Sequence, residues 1–490
     1  MKIYFYLFIF LYIEILSNNL NSKASSILKD FENVKYLEYT FKRNLTLKES
    51  IEPEEFFKTY FYNQLYINVK VGSNQQEIPF YFYLQQFPVI IQSSNVSESQ
   101  VKGIYNESNS TTYTYIRTET FTLGDLYKGL FSMDNFYFNI NNTNTQESLL
   151  KFYLSKENND NSHITEGGKI GFKPYAFYSE SDDSSFLTNL KKNNIISSNI
   201  FSIKYDNSKT NDIDSGKLYI GAHPYQINNA KYKEEYYIHY KAESGFSGID
   251  WIYYFDDIII DNKIIDKRRQ GYFYSEIGFI VGTIDFFDYI ENLENWNTYF
   301  NINKKCYKQN FKISDFDYND YFQTFSFDLT GYYCEKDVNI ENLNFEISFL
   351  KREMNYAFNF TYKDLWIEKN GYKYFMILRL EYNDDTWYFG KPFFKKYHMI
   401  FEYDNKQIGV YTNINEDNEE YKENKEDKDD KESNNKKNTL KYGLIIGGLI
   451  IIIIGLVGFL IKCYLDSPRK KRANELLDDN YEYSDKKINE

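Results

Sequence analysis

Residues 443 to 461 form an uninterrupted apolar run, and no other stretch limits so firmly what the chain can become. At about 1.5 Å per residue the run is long enough for a helix to cross a hydrocarbon core of about 30 Å. Arg469, Lys470, Lys471 and Arg472 follow it. Under the positive-inside rule this cluster sets residues 466–490 in the cytoplasm and everything before Gly443 on the lumenal or extracellular side. A lipid-anchor signal ends in its hydrophobic tail, whereas here a polar tail follows, so residues 443–465 read as one C-terminal transmembrane helix. Near the start, Lys2, the apolar run from Ile3 to Ile13 and the small polar residues around Ser17 to Ser22 have the parts of a secretory signal peptide over residues 1–22. Glu14 interrupts the pattern, and the run is short for a membrane span. The expectation is a single-pass type I membrane protein of the secretory route or cell surface.

That topology makes local predictions. Glycosylation acceptor triplets begin at Asn44, Asn95, Asn106, Asn109, Asn141 and Asn359. Only Cys306 and Cys334 lie on the oxidising side, which predicts one disulfide, while Cys463 sits at the inner end of the membrane helix. Residues 413–442 are rich in Glu, Asp, Lys and Asn, bury too little apolar surface to order themselves, and read as a charged flexible stalk. A net charge of -13 without a basic stripe argues against nucleic acid as a partner. His163, His223, His239 and His398 have no zinc spacing, and neither a Gly-rich phosphate loop nor a Gly-x-Ser-x-Gly elbow occurs, so no metal or cofactor is expected.

Between Leu65 and Thr412 many short aromatic and β-branched runs are broken by Gly, Asn, Asp and Ser clusters: Leu65 to Val71, Asn135 to Ile140, Lys217 to Ile220, Trp251 to Ile260. The pattern predicts a mostly β fold. Ser185 to Asn193 instead reads as an amphipathic helix with Phe186, Leu187 and Leu190 on one side, and a second short helix starts near Phe286. No strict repeat of 20 to 50 residues sets up a solenoid or propeller. A weaker echo links Tyr81-Phe82-Tyr83-Leu84 with Tyr272-Phe273-Tyr274-Ser275, as two related lobes would produce.

Several ordered segments resemble the pepsin-like aspartic peptidase family. The strongest runs from Trp387-Tyr388-Phe389-Gly390-Lys391-Pro392-Phe393-Phe394 through Phe401-Glu402-Tyr403-Asp404-Asn405 to Ile408-Gly409-Val410, and is similar to the family's C-terminal signature. Phe186-Leu187 to Phe201-Ser202-Ile203, with Gly216-Lys217-Leu218-Tyr219-Ile220-Gly221, resembles the end of the N-terminal lobe. Tyr66 to Val69 with Gly72 to Gln76 resembles the first hairpin, Gly168 to Pro174 the segment supporting the first active-site loop, and Trp251 to Ile260 the strand leading to the second. The Cys306 and Cys334 pair fits a C-lobe bridge. The resemblance spans roughly residues 61 to 412 and implies a bilobal pepsin-like fold with an interlobe cleft, its lobes at 61–230 and 231–412. Residues 23–60 stay open between a pro-segment and the first strands.

The family cuts peptides with two Asp-Thr/Ser-Gly loops that bring two carboxylates together. Carboxylates about 3 Å apart cannot both ionise, so one activates water while the other donates to the substrate carbonyl. Counting from Gly72 sets the first loop on Tyr83-Leu84-Gln85, and counting back from Phe279-Ile280-Val281-Gly282 sets the second on Tyr274-Ser275-Glu276. Tyrosine stands at both aspartate positions. A phenol with a pKa near 10 stays neutral below that and cannot take a proton from water as a carboxylate does. General acid-base assistance alone is worth about 10² to 10⁴ in rate. Gln85 stands where the family has a glycine, which removes backbone freedom from the loop. Phe121, on a hairpin ending in Gly124 and Gly129, stands where the family places a tyrosine above the substrate.

Asp214-Ser215-Gly216 is the decoy: it lacks the apolar residues of an active-site strand and reads as a surface turn. Glu276 reads as a solvated or hydrogen-bonded loop residue. The resemblance therefore implies a catalytically inactive member, a membrane-anchored glycoprotein acting as a monomer and holding a peptide or protein segment in its cleft. An active aspartic endopeptidase, should the loops be out of register, and a structural or adhesive coat protein are the alternatives.

Overall fold

The computed structural model describes residues 34–43, 51–84, 89–94, 105–123, 125–155, 167–172, 185–206, 214–228, 231–242, 244–245, 248–249, 251–316, 325–382 and 385–412. The signal peptide, stalk, apolar run and tail, with Asn44, Gln85 and Asn95, lie outside them. Among the described residues no helix is long and apolar enough to cross a membrane. The described chain is mostly β, in two large sheets of 13 and 11 strands.

Strand β1 (Leu37–Arg43) is followed by helix α1 (Pro53–Phe61) and by β2 (Leu65–Val71) and β3 (Gln76–Tyr83). In β2, Leu65, Ile67, Val69 and Val71 point inward while Tyr66, Asn68 and Lys70 do not, the period-2 alternation of a strand with one covered face. Gly72, at φ 82°, turns β2 into β3. From Phe80 to Tyr83 every residue is buried, because this end of β3 pairs in parallel with the strand Gly168–Gly171 and is covered on both faces. The predicted helices form as Phe186–Lys192, with Phe186, Leu187 and Leu190 buried, and as Ile284–Glu291, with Phe286, Phe287 and Ile290 buried. Cys306 and Cys334 face each other across an antiparallel pair and are joined by a disulfide.

The larger sheet is shared between the two halves of the chain. The strand Ile200–Tyr205 pairs on one side with Ser215–Ile220, which in turn pairs with β1, and on the other with Met399–Glu402. Gln407–Tyr411 and Tyr237–Lys241 continue outward from there. The second sheet is built from the later half, with Lys263–Phe273, Thr386–Phe389, Ile280–Gly282 and Ile377–Leu380 as its neighbours. One core cluster fills most of the molecule, and a second forms where α1 meets the second sheet.

Helix α1 starts where its sequence says it should: Pro53 sits in the first turn, Glu54 and Glu55 lie near the positive end of the helix dipole, and Lys58 pairs with Glu54 at 2.6 Å. Phe56, Phe57, Tyr60 and Phe61 form its buried side.

Candidate active site

Strand register makes the two turns that carry Tyr83 and Tyr274 equivalent. In the first half, Phe82 and Val89 both pair with Ile170, which lies between them, in parallel on one side and antiparallel on the other. In the second half, Phe273 and Ile280 pair in the same two senses with Phe389. Seven positions separate the outer partners in each case (89 − 82 and 280 − 273). Phe82 therefore corresponds to Phe273, Tyr83 to Tyr274, Leu84 to Ser275, Lys169 to Tyr388 and Gly171 to Gly390. The faint echo between the two aromatic runs is a real internal repeat.

The turns meet. Ser275 Oγ donates toward the Phe82 carbonyl at 3.3 Å and lies 3.2 Å from Glu276 Oε2. Its counterpart Leu84 has no hydroxyl and is fully buried in the main core. The hydroxyl link between the halves is thus one-sided. Tyr83 is 8% exposed, and the ammonium of the buried Lys169 lies 5.7 Å from its ring centre. Tyr274 is 2% exposed, with its ring 5.9 Å from Tyr388 and 6.4 Å from Tyr272. Glu276 is buried rather than solvated. Phe121 lies on the strand Thr114–Leu123, paired with Tyr127; Gly129, expected at the end of this hairpin, lies instead within the strand Asp125–Ile140 opposite Glu119, and the Phe121 side chain lies outside the described part.

Asn63, not singled out in the sequence, holds the second turn from behind. Its amide nitrogen Nδ2 donates to the Ser275 carbonyl at 2.7 Å and to Tyr205 Oη at 2.8 Å, and its backbone N–H donates to the Glu276 carbonyl at 2.6 Å.

Asp214 is not in a surface turn. Its carboxylate accepts from Arg43 Nη1 at 3.2 Å and from Lys391 Nζ, and Lys391 also bonds Tyr60 Oη. Burial alone favours protonated Asp214, but Lys391 and then Arg43 outweigh it and hold the carboxyl below its ordinary value. The same two cations overcome the effect of burial on Tyr60 and draw its phenol below the usual value. Arg43 Nη2 also donates to the carbonyls of Tyr60 and Tyr62 at 3.0 and 3.2 Å. The cluster thus bolts β1, α1 and the segment after Phe389 together behind the turn. A signal for α1 was present in Pro53-Glu54-Glu55 followed by aromatics at helical spacing; the partners of Asp214, 171 and 177 residues away, had none.

The acceptor asparagines differ in setting. Asn109 and Asn359 are exposed, the latter on an edge strand. Asn106 Oδ1 accepts from Ser108 N at 3.0 Å, while Asn141 accepts from Tyr36 N and donates to the Val34 carbonyl, both at 2.9 Å. No group of acidic, His or Cys side chains among the described residues could hold a metal ion.

Residues 64–412 match the eukaryotic aspartyl protease family. No curated protein matches the chain. The family match takes in most of the sequence and coincides with the part built as two repeated turns on two large sheets: the chain belongs to the eukaryotic aspartyl protease family.

Proposed function

We propose that this chain is a non-catalytic member of its family, a pseudoprotease tethered by residues 443–465 with its ectodomain on the lumenal or extracellular side, and that its cleft holds a peptide or protein segment without cutting it. One observation carries the reading. Tyr83 and Tyr274 occupy equivalent places in the two strand registers, at the positions where the family's two aspartates are expected, so a shift of one loop alone does not bring an acid to either place. Water activation in this chemistry needs a carboxylate that accepts a proton while a second donates one, and a pair of tyrosines supplies no carboxylate for the first role. Glu276 Oε2 accepts from Ser275 Oγ, and its sequence counterpart in the first loop is Gln85, an amide rather than a second acid.

The test is cleavage. Purified ectodomain incubated with a fluorogenic peptide library from pH 3 to pH 7 is expected to show no turnover. Cleavage abolished by a transition-state-mimicking aspartic protease inhibitor overturns the proposal in favour of an active endopeptidase. For the tether, the full chain is expected to resist alkaline carbonate extraction, and a chain ending at residue 442 to be secreted; release of the full chain by carbonate counts against the anchor.

The burial of both tyrosines gives the structural or coat-protein reading specific support, because a cleft floor closed by rings offers less room to a ligand. Peptide-library binding to the wild type, lost when bulky residues are placed in the cleft, separates the two.

A further inference from the structure

The second sheet has one face turned to the main core and the other face covered by the chain itself. Along the strand Thr386–Phe389, Trp387 and Phe389 belong to the main core while Tyr388 belongs to the second cluster, together with Tyr274, Ile277, Phe279 and Met376. Helix α1 lies on this second face. Phe56 stacks on Tyr374 with ring centres 3.7 Å apart, and Phe57 on Phe311 at 5.4 Å. The Phe57 ring sits directly on the backbone of Gly331, where an added Cβ would come within 2.4 Å of it.

Beyond the helix the chain runs antiparallel to the turn that follows Tyr274. Tyr62 and Ile277 form an antiparallel bridge, Gly278 N donates to the Phe61 carbonyl at 2.7 Å, and Asn63 N donates to the Glu276 carbonyl at 2.6 Å. The approach is so close that a Cβ on Gly278 would stand 1.9 Å from the Tyr60 carbonyl oxygen. Backbone pairing of this kind, with aromatic side chains seated in an apolar wall, is how an extended peptide is held on a strand edge. Here the occupant comes from the same chain.

We propose that residues 53–63 are a resident ligand of this wall, retained in the mature protein and excluding outside peptides from the backbone of residues 276–278. Retention follows from β1. It lies upstream of α1, yet it is an interior strand of the larger sheet, paired with Ser215–Ile220 on one side and touching β2 on the other. Removing residues up to 60 would strip that sheet of a central strand and empty the second core. Arg43, through the carbonyls of Tyr60 and Tyr62 and through Asp214, ties the two pieces together. An outside peptide is accordingly kept off the backbone of residues 276–278. This inference concerns the same cleft as the proposed binding role but does not rest on it, since occupancy can be read whether or not the protein cuts or binds peptides.

The full chain purified in detergent, analysed by N-terminal sequencing and by hydrogen exchange with mass spectrometry, tests it. The mature N-terminus is expected before Leu37, and the Gly278 amide to exchange within about tenfold of the Leu218 amide in the larger sheet. Gly331→Ala pushes Phe57 off its seat without altering the helix or the turn, and is expected to speed exchange at Gly278 by at least about tenfold while leaving Leu218 unchanged. Phe57→Leu, a milder change, is expected to act at the same amide to a smaller degree should Gly331→Ala not fold. A mature N-terminus at or after Pro53, loop-like exchange at Gly278 in the wild type, or no acceleration there in the folded variants overturns the proposal.

Discussion

Replacing Asp214 with Asn keeps the shape of the side chain and one acceptor oxygen but removes the carboxylate that, among the described residues, bonds both Arg43 and Lys391. Arg43 and Lys391 side chains are 3% and 6% exposed. At an effective dielectric of about 20, unit charges 3.2 Å apart attract by about 5 kcal/mol, although desolvating the three charges offsets much of that. Removal of one partner is different, because it leaves two buried cations facing each other. Breaking buried pairs in this way costs about 3–5 kcal/mol, or two to three and a half decades in the unfolding equilibrium. Asp214→Asn should therefore lower the urea midpoint of the ectodomain strongly at pH 7, and adding Lys391→Met should recover at least about 1 kcal/mol, since the two sites share a partner. The pH dependence has a definite sign. A carboxyl whose folded pKa is depressed adds stability above its unfolded value of about 3.9 and loses it as the pH falls through the lower folded value. The gap between wild type and variant should be full at pH 7 and shrink in acid below about pH 4. A loss under about 1 kcal/mol at pH 7, or one that persists undiminished in strong acid, refutes the assignment of a buried charge cluster.

The one-sided link between the turns predicts unequal costs: Ser275→Ala loses one hydrogen bond, about 0.5–1.5 kcal/mol, while Leu84→Ala empties a fully buried site for about 2–5 kcal/mol. Urea titrations in which Ser275→Ala proves the costlier would contradict that picture. Cys306→Ser with Cys334→Ser opens a bridge of sequence separation 28, for which chain entropy gives about 3–4 kcal/mol; calorimetry showing less than about 1 kcal/mol would mean that strand pairing alone fixes the hairpin. Burial, then Lys204 and Lys231, pushes His398 down to about 3, so the folded protein keeps it neutral while the unfolded chain binds a proton near 6.5. Stability is then fully present above about pH 6.5 and falls as the pH drops toward 3, and His398→Asn should flatten that slope; an unchanged slope refutes the role.

What could be read from the sequence was local or covalent. Leu65 to Val71 alternates cleanly because only one face is covered, and the strand has the bounds its pattern gives. Phe186, Leu187 and Leu190 mark a helix by spacing alone, and Cys306 and Cys334, with the third cysteine far off at the end of the apolar run, leave one pairing. The internal equivalence of Tyr83 and Tyr274 showed only as a short aromatic echo, because the repeat lives in strand register rather than in residue identity. The setting of Asp214 differs from a surface turn for a related reason. Flanked by Asn211, Asp212 and Ile213 it has the neighbourhood of a loop, and its setting is decided by Arg43 and Lys391, which nothing in the local sequence announces. Glu276 is, of its two readings, the hydrogen-bonded loop residue, through Ser275, and the approach of residues 60–63 buries it.

A sheet assembled from both halves also fixes when folding can finish. The strand Ile200–Tyr205 pairs with Met399–Glu402, nearly two hundred residues later, and that strand pairs with Gln407–Tyr411. Until the last of these has been made, the earlier half carries an open edge with Phe201 and Ile203 uncovered, and the loop to be closed is nearly as long as the second half itself. Contacts so distant in sequence are slow to form, and an unpaired apolar edge is the kind of surface that recruits other chains. The finished half must wait for the last strands. A chain truncated before Met399 should therefore aggregate rather than survive as a stable first lobe, and the interval between synthesis of Tyr205 and of Tyr411 is when this protein most needs a chaperone.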